Sequence, residues 1–454
     1  MERSHSLDMV NGPLIKNIFL FSIPLMLTTL LQILFNTADT IVVGKFAGSN
    51  ALAAVGGTAS FVWLLTSLCN GLSTGANVVI ANFIGSGDED KVSLAVHTSM
   101  WMSIVSGILL TVVGIVIGGP VLRMMSTPED IIGLSHLYLN IYFGGVIFLV
   151  IYNFGAAIMR SKGDTKRPFY YLLIGGILNV IFNLFFVIVL HWSVAGVAIA
   201  TLISEGVSAI LVVIALLKEN DATRLHLDKL ALDKDIAFEI IRIGLPAGIQ
   251  GAFFSLSNVV IQSSINSFDS SIIVAANSAA MNIEEFVYIG MDGFSRAAIT
   301  FTSQNMGAKN YTSIKKIMWT TMILDVLSGL ICGVLVYVFG ESLLGLYTNN
   351  PAVIEIGMKR LFFVPLFIFL NAILDIYLCS IRGMGVSTLP TILMLIGIVG
   401  VRIGWLMIVF PMYPQIDVIY MCYPVSWTIT SIIEGGLWYY IYNKNISPLI
   451  KKNI

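Results

Sequence analysis

Twelve apolar stretches, each long enough to cross a lipid bilayer, follow one another along this chain: 14–43, 52–80, 93–118, 133–158, 169–190, 195–217, 238–266, 273–303, 315–339, 358–380, 388–410 and 418–442. A helix needs about 20 apolar residues to span the hydrocarbon core. In lipid every backbone N–H and C=O must find its partner inside the protein, which leaves only helices and closed barrels. Barrel strands are about 10 residues long and alternate strictly, so these runs are helices. The first run is too long for a signal peptide and ends in no small-residue cleavage site, so it reads as a retained span. Composition agrees: 57% of the 454 residues are apolar or aromatic and 11% are charged. A soluble domain would carry about a quarter charged residues. The net charge of −1 offers no surface for a polyanion, so the expected surroundings are a bilayer, with no nucleic-acid partner.

Basic residues set the orientation. With a cytoplasmic N-terminus, 19 of the 25 Lys and Arg lie inside, Lys45, Arg123, Lys359 and Arg360 lie outside, and Arg296 and Arg402 fall within spans. Both termini are therefore expected in the cytoplasm of a multi-pass cell-membrane protein. The longest polar break, from Lys218 to about Lys234, separates six spans from six. It divides the chain into an N-terminal lobe (1–217), a linker (218–237) and a C-terminal lobe (238–454).

The halves are related in sequence. A shift of 222 residues pairs Pro24 with Pro246, Asn36 with Asn258, Gly71 with Gly293, Gly118 with Gly340, Arg160 with Arg382 and Gly163 with Gly385. Matches of Pro, Asn, Gly and Arg in one register mark an internal repeat. An even number of spans per half gives both halves the same orientation. The fold class is therefore an all-α membrane protein, with twelve transmembrane helices in two pseudo-symmetric six-helix lobes around a central cleft.

Ionisable residues at bilayer depth are costly and demand an explanation. Asp39 lies in the outer part of the first span, after Asn36 and before the apolar Ile41–Val43. Asn179 and Asn183 share a face of the fifth span, roughly 15 and 21 Å above its cytoplasmic start. Thr201, in the descending sixth span, lies roughly 9 Å below the outer surface. These four occupy one layer, where a carboxylate among neutral oxygens can hold a proton or Na⁺. Interhelical hydrogen bonds serving only as packing are the other reading. At the repeat offset Asp39 becomes Ile261, Asn179 becomes Val401 and Asn183 becomes Trp405, so the second half lacks this set. That half instead carries Glu284, Glu285, Asp292, Arg296, Asp325, Asp375 and Arg402. Asp292 and Arg296, four apart, can neutralise each other. The remaining acids either line the cleft or pair with Arg402, with Glu284 and Asp375 favoured for the cleft. Glu205 and Glu434 have no partner legible in the sequence.

The stretch GPLIKNIFLFSIPLMLTTLLQILFNTADTIVVGKFAGSNALAAVGG and the loops NFIGSGDEDKV, MRSKGDTKRP and IRGMGVSTLP resemble the multidrug and toxic compound extrusion (MATE) transporters, nearest to their bacterial DinF-like branch. The resemblance implies that Asp39 is the coupling carboxylate and that Asn179, Asn183 and Thr201 complete a cation site. Asn36 and Asn371 join Glu284 and Asp375 as candidate substrate-cleft residues. The family often has Asp where this chain has Asn183, which removes a negative charge and weakens Na⁺ binding. Acids of its seventh and tenth spans correspond to Phe254 or Ser255 and to Asn371, which speaks against a second Na⁺ site.

The activity implied is antiport of amphipathic organic cations against H⁺ or Na⁺ by alternating access, in a monomer without cofactor. No GxxxxGK[ST] motif supports an ATP-driven pump, and no HExxH or nucleophile–base set supports an enzyme. The alternative is a flippase for a lipid-linked sugar or other lipid. Its pyrophosphate would call for a strongly cationic cavity, whereas only Arg296 and Arg402 are read inside spans.

Overall fold

The structure, a computed structural model, describes residues 7–452, the side chains of Ser255, Leu256 and Lys452 excepted. Ser255, read above as one counterpart of a family acid, and Arg3, counted among the inner cations, lie outside that description. Twelve helices are long and apolar enough to cross a membrane: α1 (Leu14–Ala47), α2 (Ser49–Ser86), α3 (Glu89–Met124), α4 (Glu129–Ser161), α5 (Lys166–Val189), α6 (Ser193–Leu217), α7 (Lys234–Asn266), α8 (Ser271–Gly307), α9 (Tyr311–Val338), α10 (Pro351–Gly383), α11 (Thr388–Met412) and α12 (Ile416–Lys451). No strand occurs among the described residues. The all-α membrane fold read from the apolar runs is the fold found.

One boundary moves enough to matter. The apolar run puts the start of the tenth span at 358, but α10 begins at Pro351, where the Asn350 side chain accepts from the Ala352 amide at 3.0 Å. Asn at the cap and Pro in the first turn is a strong helix start. The earlier start carries Arg360 into the body of the helix, where it is 2% exposed, and out of the loop to which its charge assigned it.

The chain divides into two compact units. The first is built from Leu27–Ala252; the second joins Asp8–Met26 to the chain from Phe253 onward. The first halves of α1 and α7 thus each pack in the unit opposite to the rest of their own helix. In the first unit, Gly71 and Gly75 of α2 face Gly244 and Gly248 of α7 so closely that a Cβ on Gly71 would overlap the Gly248 backbone. Small residues four apart let two membrane helices approach to backbone contact. In the second unit a Cβ on Gly293 of α8 would stand 2.7 Å from Met26 and 2.8 Å from the Ser22 carbonyl of α1. Ser22 Oγ also donates to the Gly293 carbonyl at 3.1 Å.

These contacts repeat at the sequence offset. Gly71 with Gly248 becomes Gly293 with Met26, Gly118 with Leu139 becomes Gly340 with Leu361, and Gly175 with Ser208 becomes Gly397 with Thr430. Gly163 and Gly385, in the turns that precede α5 and α11, have φ of 95° and 85°. Only glycine adopts that backbone without strain.

The segment between α6 and α7 is fastened to the first unit along its length. Lys162 Nζ reaches Glu219 at 2.5 Å and Asp221 at 3.2 Å, and Arg167 Nη2 reaches Glu219 at 2.5 Å. Farther on, the His226 amide donates to His97 Nε2 at 3.0 Å and the Asp233 amide to Thr98 Oγ1 at 3.2 Å.

Candidate functional site

Two glycines in α5 set the geometry of the polar layer in the first unit. A Cβ on Gly175 would strike Ser208 of α6, and one on Gly176 would strike the Phe35 ring of α1. Without side chains at these positions, α5 lies close against both helices. Asn179 and Asn183, four and eight residues after Gly175, continue on the face it presents to α6.

Their amides form a directed chain. Thr201 Oγ1 donates to the Val197 carbonyl at 3.0 Å, and Asn179 Nδ2 donates to Thr201 Oγ1 at 3.4 Å. Asn183 Nδ2 donates to Asn179 Oδ1 at 3.2 Å and also to Asp39 Oδ1. Both amide protons of Asn183 are thus used, while its buried Oδ1 accepts no hydrogen bond among the described residues. Asn183 is fully buried, Asn179 is nearly so, and Asp39 and Thr201 are partly exposed. The four residues named from the sequence are joined by hydrogen bonds whose donors run outward from Asn183, one way to the Asp39 carboxylate and the other through Asn179 and Thr201 to the Val197 carbonyl.

Apolar packing closes one side of the layer. Val43, Val187 and Val197, one helical turn from Asp39, Asn183 and Thr201, are buried in one cluster with Ala51 and Ala54. Asp39 has no ion pair among the described residues, and its Oδ2 has no protein donor there. A carboxylate held by a neutral amide and lacking a counter-cation can accept a proton or a small cation at its free oxygen.

The sequence left Glu205 without a partner. It follows Thr201 by one turn of α6 and lies within electrostatic reach of Asp39. Tyr138 and Tyr142 of α4, their rings 6.0 Å apart, lie within electrostatic reach of Glu205, and Tyr138 of Asp39 as well. The spacing of Glu205 from Thr201 was a legible signal for the first of these. Nothing comparable marked the tyrosines.

The second unit treats its charges differently. Ile261 stands at the repeat position of Asp39, Tyr423 at that of Thr201 and Arg360 at that of Tyr138. Arg360 Nε and Nη2 donate to Glu284 at 2.7 and 2.8 Å, and Nη1 donates to Asn277 Oδ1 at 2.6 Å. Glu284 therefore pairs with Arg360. Arg402, offered as a partner from the sequence, instead donates to Ser426 at 3.1 Å and lies over the Tyr423 ring at 4.4 Å. Arg296 pairs with Asp292 at 2.8 Å, as their spacing predicts. Asp375 accepts from Ser295 Oγ at 2.5 Å. Asn371 of the second unit is partly exposed and Asn36 of the first is exposed; neither side chain has a hydrogen bond among the described residues. Asp325 and Glu434 are buried without a hydrogen-bond partner among the described residues.

A family model described as MatE matches residues 24–185 and again 246–406, two matches that begin at the repeat offset. The probable multidrug resistance protein YoeA of Bacillus subtilis (strain 168) is 26% identical over 453 residues, covering 96% of this chain and 96% of its own. The probable multidrug resistance protein NorM of Thermotoga maritima is 26% identical over 394 residues, 84% of this chain and 83% of its own. A solved structure described as the outward-facing conformation of a multidrug resistance MATE family transporter of the MOP superfamily shares the fold. Its TM-score is 0.91 over 99% of this chain and 100% of its own, at 21% identity.

Proposed function

This chain belongs to the MatE family of transporters, and from that premise we propose that it exports amphipathic organic cations in exchange for inward H⁺ or Na⁺. The exchange runs by alternating access in the cell membrane, with both termini in the cytoplasm and with 1–217 and 238–454 acting as the two lobes of a monomer. One observation carries the coupling reading: Asp39, inside a membrane-spanning helix, is held by the Asn183 amide and has no cationic partner among the described residues. A proton or Na⁺ supplies the missing charge, with Asn179, Asn183 and Thr201 as the neutral oxygens around it. Coupling requires that the ion and the substrate favour opposite states. Asn36 and Asn371 are the substrate residues with uncommitted amides; Glu284 and Asp375 serve less directly, through Arg360 and Ser295.

The flippase reading draws no support from the buried arginine of α10, because Glu284 already neutralises it.

The deciding experiment is uptake of a fluorescent organic cation into everted vesicles or proteoliposomes under separate pH and Na⁺ gradients. Gradient-driven uptake that collapses in Asp39→Asn is the expected result. Uptake that ignores both gradients, or that survives Asp39→Asn unchanged, overturns the proposal.

A further inference from the structure

In the second unit a groove of about 1140 Å³ opens between the first turns of α1, the first turns of α9 and the end of α12. Its floor is apolar: Phe19 and Trp319 are each 46% exposed and Ile323 is 55% exposed. At one end stand Lys16, Lys315 and Lys316. Among the described residues, none of the three makes an ion pair and no acidic residue lines the groove. The first turns of α1 and α9 also hold no acid, so two helix N-termini add their positive ends to three unopposed lysines.

The charge and the oil are stacked along the helix. From Lys315 to Ile323 the helix rises about 12 Å, taking the lining from ammonium groups through Trp319 to hydrocarbon. A phospholipid has the same order, headgroup then acyl chain. The repeat shows, too, that this is a place the fold covers. Trp319 and Thr320 correspond to His97 and Thr98 of the first unit, and there the backbone amides of His226 and Asp233 seat the inter-helix segment on those two side chains. In the second unit the end of α12 lines the groove there, through Tyr442 and Ile450.

We propose that this groove binds a phospholipid with a net negative phosphodiester headgroup, from the leaflet on the lysine-rich face. A zwitterionic lipid brings its own ammonium against the lysines and binds more weakly. Basic pockets between membrane helices recognise anionic headgroups in this way. The proposal is independent of which ion drives transport.

The test uses Trp319 as its own reporter, in nanodiscs of the intact protein doped with dibrominated phosphatidylglycerol or dibrominated phosphatidylcholine. Subtracting the signal of Trp319→Phe isolates its quenching from that of the other tryptophans. Half-quenching by the anionic lipid is expected at a mole fraction at least about fivefold lower, the effect of a single lysine near a membrane surface. The combined variant Lys16→Gln, Lys315→Gln, Lys316→Gln should bring the two curves together; if it fails to fold, Lys316→Gln alone should narrow the gap. Coincident curves in the wild type, or a preference unmoved by the lysine changes, overturn the proposal. Loss of the preference on adding 10 mM inorganic phosphate, with ionic strength held constant, overturns it as well, because a free phosphate is then the ligand.

Discussion

Arg360 grips Glu284 through two parallel contacts, Nε to Oε1 at 2.7 Å and Nη2 to Oε2 at 2.8 Å, with both side chains buried. The fork satisfies both carboxylate oxygens, and Asn277 takes a further guanidinium proton at 2.6 Å. Burying two charges is costly, and removing one partner leaves the other uncompensated, typically at about 3–5 kcal/mol. Arg360→Met and Glu284→Leu should each lower the unfolding midpoint of the purified protein sharply. The double variant should recover most of that loss. Single-variant losses that simply add in the double would show that the pair is not coupled.

The reason that pair escaped the sequence also shows how far sequence reading reaches here. Spans are legible because lipid imposes long apolar runs, and the repeat is legible because Pro24, Gly71 and Gly163 recur 222 residues later. Asp39, Asn179, Asn183 and Thr201 stood out because polar groups are rare in such runs. Arg360 did not, because two adjacent cations after a polar break read as a loop, and the acid that changes the reading lies 76 residues earlier. Ion-pair partners distant in sequence leave no local signal. The cross-packing of α1 and α7 was hidden for the same reason, since Gly244 and Gly248 say that something comes close but do not say what.

Asn183 offers a sharper probe of ion choice than Asp39 itself. It is fully buried and donates to Asp39, so Asn183→Asp places a second carboxylate beside the first without changing size. Two carboxylates with the oxygens of Asn179 and Thr201 make a better Na⁺ cage than one. The variant should need less Na⁺ for half-maximal exchange, by about tenfold if the added attraction approaches 1.4 kcal/mol. Adding Asp39→Asn should abolish the gain. A Na⁺ response unchanged by Asn183→Asp would place the ion elsewhere.

Outside the membrane, Asp221 ties the segment after α6 to Lys162. Burial alone would raise its carboxyl, but hydrogen bonds from Thr223 and the Lys162 ammonium outweigh that and hold it below its ordinary value of 3.8. A carboxyl lowered on folding contributes stability that is fully present well above that ordinary value. The contribution fades as the pH falls through the lower folded value. Because the side chain is 55% exposed, screening limits it to about 0.2–1 kcal/mol. Asp221→Asn should therefore be slightly less stable than wild type at pH 7, with the difference shrinking toward pH 3. Thermal unfolding of both proteins across that range checks the sign. A gap that widens on acidification would contradict the assigned pairing.

Two glycines of α2 should respond oppositely to the same small change. A Cβ on Gly71 meets the Gly248 backbone, which cannot swing aside as a side chain would. Gly71→Ala must push α7 away from α2, and overpacking of this kind costs about 1–3 kcal/mol or more. Gly56 is exposed in the same helix, and a Cβ there has nothing within 4 Å. Gly56→Ala should be neutral or stabilising by up to about 1 kcal/mol, because alanine loses less backbone freedom than glycine on joining a helix. Unfolding midpoints of the two variants in one detergent give the comparison. If Gly71→Ala is as well tolerated as Gly56→Ala, the two helices do not meet at backbone distance and the shared small-residue crossing is wrong.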